Sequence, residues 1–248
     1  MTRALRDVVL LHGWGSHAGV FRGLVRSRDK HFNAHVLELP GYADTPACKP
    51  YTLEGIADTL AARAPARCSV IGWSLGAQVA LMWARRAPAQ VEKLALIAAT
   101  PCFVQRGDWP YAIQRSVLRQ FAQALHGDRT GILLRFVSLQ ALGDVHAAKV
   151  AHRLRTALFA RAIPSEQVLK DGLEILRTTD MREELHAIRH PVLVVHGEQD
   201  AVTPWAAGKW LADALPHARL HLMRGAGHAP FLSEPAAVSR VLAEFLNE

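Results

Sequence analysis

Cysteine is scarce: Cys48, Cys68 and Cys102 are the only three in 248 residues. An odd number without metal-ligand spacing argues against a disulfide framework and a structural zinc site. A reducing cytoplasm is the compartment expected of such a chain. Long apolar runs are missing too, and none approaches the roughly 18 residues that cross a bilayer. Met1–Asp7 is too short and too charged to supply the apolar core of a secretory signal before Val8. Repeats and low-complexity tracts are absent. What remains is 50% apolar and 21% charged, an ordinary globular composition. A chain of this length holds one large domain, or a domain with an insertion.

Acid is scarce in one particular place. The formal net charge is +7, and between Arg106 and Arg161 nine lysines and arginines face three acids, Asp108, Asp128 and Asp144. Nearly the whole positive excess therefore lies in one segment. A basic helical face is often no more than a solvated face. The alternative is a surface for an acidic macromolecule.

Short apolar runs punctuate the chain at 8–11, 35–39, 68–71, 93–98, 191–195 and 219–223. Bounded by Gly or Pro and separated by helical stretches such as 53–63 and 76–86, they read as buried parallel strands. Alternation of this kind predicts an α/β fold, a mostly parallel central sheet flanked by helices. From about 102 to 185 the alternation stops and an Arg-rich helical stretch takes over. The expected organisation is a core of 1–101 and 186–248, with 102–185 inserted as a helical cap.

Gly72-Trp73-Ser74-Leu75-Gly76 follows the strand Cys68-Ser69-Val70-Ile71 and precedes a helix-like run from Ala77. A Gly-x-Ser-x-Gly in that context is a nucleophile elbow: a sharp turn thrusts the serine hydroxyl out while small residues let neighbouring backbone pass. The bland alternative is a glycine-flanked turn. A serine needs a base to take its proton and an acid to orient that base. On such a sheet the carboxylate comes next in the chain and the histidine last. Asp200 follows the strand at 191–195, and His228 follows the strand at 219–223, both in loops at carboxyl ends of strands. Glu198 competes with Asp200, whereas His190 and His196 read as loop or core residues. The oxyanion requires preorganised donors. Leu75, after the nucleophile, offers one backbone N–H, and Trp14 in His12-Gly13-Trp14-Gly15 offers the second. The Trp14 indole would lie over the cleft beside Trp73, with core packing as the alternative for both rings. His12 is expected to fix loop geometry by hydrogen bonding.

His12-Gly13-Trp14-Gly15, Leu39-Pro40-Gly41, the elbow, Asp200 and Gly227-His228-Ala229-Pro230 span the chain and resemble the α/β-hydrolase superfamily. The elbow, Pro101-Cys102-Phe103 with Asp108-Trp109-Pro110, Arg135 to Gln140, and Gly172 to Leu176 with Asp180-Met181-Arg182 are more selective. They resemble the pimeloyl-acyl-carrier-protein methyl ester carboxylesterase family of biotin synthesis. That resemblance implies hydrolysis of the methyl ester on the distal carboxylate of a carrier-bound pimeloyl chain, with methanol released. It implies substrate contacts at Trp14, Trp73, Phe136, Ser138, Leu139, Gln140 and His228. It also gives the basic segment an acidic partner, the acyl carrier protein, met by Arg135 with Arg129, Arg153 and Arg155 nearby. One departure is Gly41-Tyr42-Ala43-Asp44-Thr45, where many relatives have a second glycine and a serine.

The chemistry implied is a two-step acyl transfer needing no metal and no organic cofactor, in a monomer. A carrier-independent short-chain esterase or another metabolite hydrolase shares the same three residues. Ser74 disfavours branches that need a carboxylate nucleophile at that position. A ligand-binding receptor with a hydrolase shell would have no use for all three residues. A nucleic-acid binder would leave their order to coincidence.

Overall fold

The computed structural model describes residues 5–26 and 32–248; residues 1–4 and 27–31, part of the expected core, lie outside the described residues. Six strands form one sheet: β1 (Arg6–Leu11), β2 (Phe32–Leu37), β3 (Cys68–Trp73), β4 (Val91–Ile97), β5 (Val192–Gly197) and β6 (Ala218–Met223). They lie in the order β2-β1-β3-β4-β5-β6, every pair parallel. Each expected strand is present, within a few residues of its expected bounds. β3 and β5 are buried at every position, as strands covered on both faces must be.

Helices α1 (Arg22–Arg26), α2 (Leu53–Ala61), α3 (Leu75–Arg86) and α8 (Trp205–Ala214) lie between strands, and α9 (Pro230–Ser233) and α10 (Pro235–Asn247) close the chain. The chain steps outward from β1 to β2, then returns to place β3 on the other side of β1. That reversal opens a crevice beyond the carboxyl ends of β1 and β3, the usual ligand position in an open α/β sheet. The loop 12–15 and Ser74 flank it.

Between β4 and β5 run α4 (Arg115–Ala124), α5 (Arg129–Ala141), α6 (Ala147–Leu158) and α7 (Glu166–Thr178), and no described residue of 102–185 joins the sheet. The two ends of this segment are fastened together. Met181 N–H donates to the Pro101 carbonyl at 3.0 Å. Arg182 pairs with Asp180 and Asp108 at 2.7 and 2.8 Å and lies over the Trp109 ring. The Trp109 indole donates to the Cys102 carbonyl at 2.8 Å and packs edge-on against Trp210. The sequence stretches around 101–110 and 180–182 thus form a structural clasp.

Candidate active site

Ser74 sits between β3 and α3 with φ 56° and ψ −118°, a left-handed conformation that an L-residue adopts only under constraint. The flanking glycines supply that constraint. A Cβ on Gly72 would lie 2.3 Å from the Gly76 carbonyl oxygen, and one on Gly76 would lie 2.3 Å from that of Leu11. No side chain fits at either place, so the elbow can pack against β1 only with glycine there.

His228 follows β6 and Asp200 follows β5, and the two meet: His228 Nδ1 lies 2.8 Å from Asp200 Oδ2, with both side chains wholly buried. Asp200 Oδ1 accepts the N–H groups of Val202 and Thr203 at 2.9 and 2.8 Å. Burial alone would raise this carboxyl, yet the charges and hydrogen bonds of His228 and His196 hold it well below its ordinary value. It therefore remains an anion that accepts a hydrogen bond from Nδ1–H, which leaves Nε2 as the basic nitrogen. Nε2 is buried with no partner among the described residues. Glu198 is engaged elsewhere, accepting the Gly225 N–H at 3.2 Å, so Asp200 is the carboxylate that reaches the imidazole.

The loop after β1 runs against the elbow: a Cβ on Gly13 would touch Ser74 Cβ at 3.0 Å and approach its Oγ at 3.6 Å. Trp14, the next residue, is anchored by its indole N–H to the Leu169 carbonyl at 2.9 Å and by an edge contact with Phe136 at 5.1 Å. Leu75 is the first residue of α3, where an N–H has no intrahelical acceptor. His12 Nδ1 faces the Gly13 carbonyl at 2.9 Å and its Nε2 accepts the Leu39 N–H at 3.1 Å, a role in loop geometry. His190 faces the Pro88 carbonyl at 3.0 Å, and His196 is a core residue against the Thr203 carbonyl at 2.8 Å.

Beside Trp14 lies an apolar slot closed by Phe103, Phe121, Phe136, Leu139, Leu173 and Val202 among others. Ser74, Asp200 and His228 do not line it; Val202, two residues after Asp200, does. Two wider grooves, of about 360 and 620 Å³, lie elsewhere and contain none of the three residues.

The expected substrate residues divide. Trp14, Phe136 and Leu139 line the slot. Ser138 does not: it is exposed, and its hydroxyl donates to the Leu134 carbonyl at 3.1 Å. Helical geometry is the reason, since 136, 139 and 140 share one face and 138 points away from it. Gln140 is buried, and its carbonyl accepts the His228 N–H at 3.2 Å. Trp73 packs in the core, its ring 5.7 Å from that of His228. It is fully buried against Phe231, and its indole donates to the His228 carbonyl at 2.8 Å. Through that hydrogen bond the indole fastens the His228 loop to the end of β3. Among the basic residues, Arg129 and Arg153 are spent on the carbonyls of Pro164 and Leu232 at 3.1 and 2.7 Å. Arg135 and Arg155 are exposed and form no ion pair among the described residues. Sequence reasoning missed the slot residues of α4 and α7. Their signal was the apolar spacing of Val117, Leu118 and Phe121, and of Leu173 and Leu176.

A parallel sheet with a strained serine elbow after β3 and a buried Asp–His pair beyond the ends of β5 and β6 defines an α/β protein of the serine-hydrolase class. The chain belongs to the alpha/beta hydrolase family, whose model matches residues 8–241. It is 44% identical over 229 residues to a pimeloyl-[acyl-carrier protein] methyl ester esterase of Nitrosomonas europaea, covering 92% of this chain and 91% of that one. It is 41% identical to the protein of the same name from Chromobacterium violaceum, covering 97% and 94%. Among solved structures it superposes on an esterase from Exiguobacterium antarcticum with a TM-score of 0.88 at 22% identity, covering 98% and 92%. A bromoperoxidase from Bacillus anthracis gives 0.90 at 20% identity, covering 99% and 93%; likenesses this distant speak for the fold alone.

Proposed function

We propose that the chain is a serine carboxylesterase that hydrolyses the methyl ester of pimeloyl-acyl-carrier protein, releasing pimeloyl-acyl-carrier protein and methanol for biotin synthesis. The observations that carry the chemistry are the strained turn at Ser74 and an imidazole, His228, whose Nδ1 faces Asp200 and whose Nε2 is unspent. The substrate is supported by relatives of 41–44% identity over almost the whole chain.

In this reading His228 Nε2 takes the Ser74 proton and Ser74 Oγ attacks the ester carbonyl. The N–H groups of Trp14 and Leu75 hold the oxyanion, worth roughly 3–4 kcal/mol each in the transition state. The C–O bond to the methoxy group breaks, and His228 returns the proton to the leaving methanol. Water then attacks the pimeloyl–Ser74 ester with the same base, freeing the carboxylate and restoring the serine. Asp200 fixes the imidazole tautomer throughout. The triad handles proton and charge, so neither metal nor organic cofactor enters. Segment 102–185 acts as the cap, its apolar slot taking the uncharged part of the acyl arm, and its basic helices meet the acidic carrier. A monomer in the cytoplasm suffices, where the three free cysteines stay reduced.

The deciding measurement compares hydrolysis of the methyl ester free and attached to carrier protein, for wild type, Arg135→Glu and Arg155→Glu. The reading expects faster turnover of the attached ester, lost progressively with salt and with either reversal. Equal rates for both substrates, unmoved by the reversals, leave an esterase indifferent to the carrier. Normal hydrolysis by Ser74→Ala removes the nucleophile assignment altogether.

A further inference from the structure

The turn joining α5 to α6 touches the loops of both Asp200 and His228. Gly143, at φ 82°, sets its Cα so close to Gln199 that an added Cβ would lie 3.0 Å from that carbonyl oxygen. Gln199 is the neighbour of Asp200. On the other side, Val145 N–H donates to the Gly225 carbonyl at 2.9 Å, and His228 N–H donates to the Gln140 carbonyl at 3.2 Å. Between them stands Asp144, a carboxylate buried to 6% exposure and, among the described residues, without a basic side chain bonded to it. Its Oδ2 accepts the Gly227 N–H at 2.7 Å. Its Oδ1 accepts the His146 N–H at 2.7 Å and the Ser233 hydroxyl at 2.8 Å. Three donors satisfy a buried anion that would otherwise be costly.

We infer that Asp144 is a positioning residue for the base: it clamps the peptide next to His228 and so sets where the imidazole stands relative to Ser74. The inference rests on the reading of His228 as the base. It follows from the arrangement of the bonds. The backbone of residues 225–228 has its hydrogen bonds to 140–145 within the inserted segment, not only within the sheet domain. Gly227 leaves no slack, because a Cβ there would meet both Asp144 Cβ and the Gln140 carbonyl at 3.2 Å. The inserted helices thus hold one of the reacting groups in place, besides covering it.

The test is Asp144→Ala, with Asp144→Asn as the conservative partner and Leu60→Ala as a remote control that loosens the core. Turnover of a short-chain aryl ester gives kcat and KM, and proton NMR follows the downfield His228 Nδ1–H resonance. Asp144→Ala is expected to lower kcat about 100-fold, as small misplacements of reacting groups do, with KM within about twofold. The resonance should shift or broaden, Asp144→Asn should recover part of kcat, and Leu60→Ala should keep both kcat and the resonance well below its melting temperature. If Asp144→Ala does not fold, Asp144→Asn decides on the same readouts. Wild-type kcat and an unmoved resonance in the folded variant overturn the inference while Ser74→Ala still reports on the esterase reading. An active Ser74→Ala would sink that reading, and the resonance would still report on the clamp.

Discussion

His228 Nδ1 and Asp200 Oδ2 stand 2.8 Å apart in a site where neither side chain reaches solvent. A carboxylate so placed selects the imidazole tautomer and stabilises the imidazolium that forms during turnover. Asp200→Asn keeps the shape and offers an amide instead. The expected result is a fall in kcat of about 10⁴-fold with KM little changed. Steady-state kinetics on an aryl ester checks it, and a loss under tenfold would remove Asp200 from the triad.

The same carboxyl carries a pH signature. Burial pushes it up, but His228 and His196 hold it well below its ordinary 3.8. A folded value below the unfolded one stabilises the fold above about pH 3.8, and the contribution is lost as pH falls through the folded value. Asp180 adds the same sign: burial raises it, and the hydrogen bonds and charges of Arg182 and Arg106 bring it lower. Melting temperatures should therefore be insensitive to these groups from pH 7 to about 4 and then drop. Asp200→Asn should drop less steeply below pH 4; identical slopes contradict the assignment.

The loop 41–45 offers a stabilising change. Ala43 sits at φ 49°, where a Cβ is strained by roughly 1–2 kcal/mol. Glycine relieves that strain and gives back roughly 0.4–1 kcal/mol through the more flexible unfolded chain. Ala43→Gly should thus raise stability by about 0.5–1 kcal/mol with unchanged kcat, read by urea unfolding. Ala43 is thus a conformational cost and not a change of chemistry.

Gly76→Ala should fail in the opposite direction. The new methyl would meet the Leu11 carbonyl at 2.3 Å, and backbone of β1 in the sheet centre has nowhere to move. A loss of about 3 kcal/mol or more is expected from overpacking and elbow displacement together, with turnover abolished. Thermal unfolding and an ester assay report the two separately. A stable, active Gly76→Ala would mean that the elbow tolerates displacement.

The inner strands were readable because parallel strands buried on both faces leave continuous apolar runs, as Val8–Leu11 and Val192–Val195 do, while the half-buried edge strands β2 and β6 left shorter, interrupted ones. The meeting of Asp200 with His228 was readable because each lies in the loop after a strand's carboxyl end, where the order of strands brings such loops together. For Trp73 and Ser138 motif adjacency said nothing of direction: one is packed in the core beside the His228 ring, the other lies off the apolar face of α5. Asp144 was invisible for another reason. Leu-Gly-Asp after a helix reads as turn chemistry, and only folding brings it under the Gly227 N–H.

Gly172, in the middle of α7, meets the Trp14 ring: a Cβ there would lie 2.7 Å from Cδ1 and 3.1 Å from Nε1. Helix propensity alone favours Gly172→Ala by roughly 0.5–1 kcal/mol. The ring cannot yield easily, since its N–H is held by the Leu169 carbonyl and its face by Phe136. Overpacking of this kind costs roughly 1–3 kcal/mol, so the clash wins and the variant should lose about 1 kcal/mol. Displacing Trp14 also moves the backbone N–H assigned to the oxyanion, whose complete removal costs roughly 10²–10³ in kcat. A partial shift should then lower kcat about tenfold while KM moves little. Urea unfolding and steady-state kinetics on one preparation test both halves. A variant more stable than wild type with undiminished kcat would mean that Trp14 is free to move without disturbing the oxyanion donor.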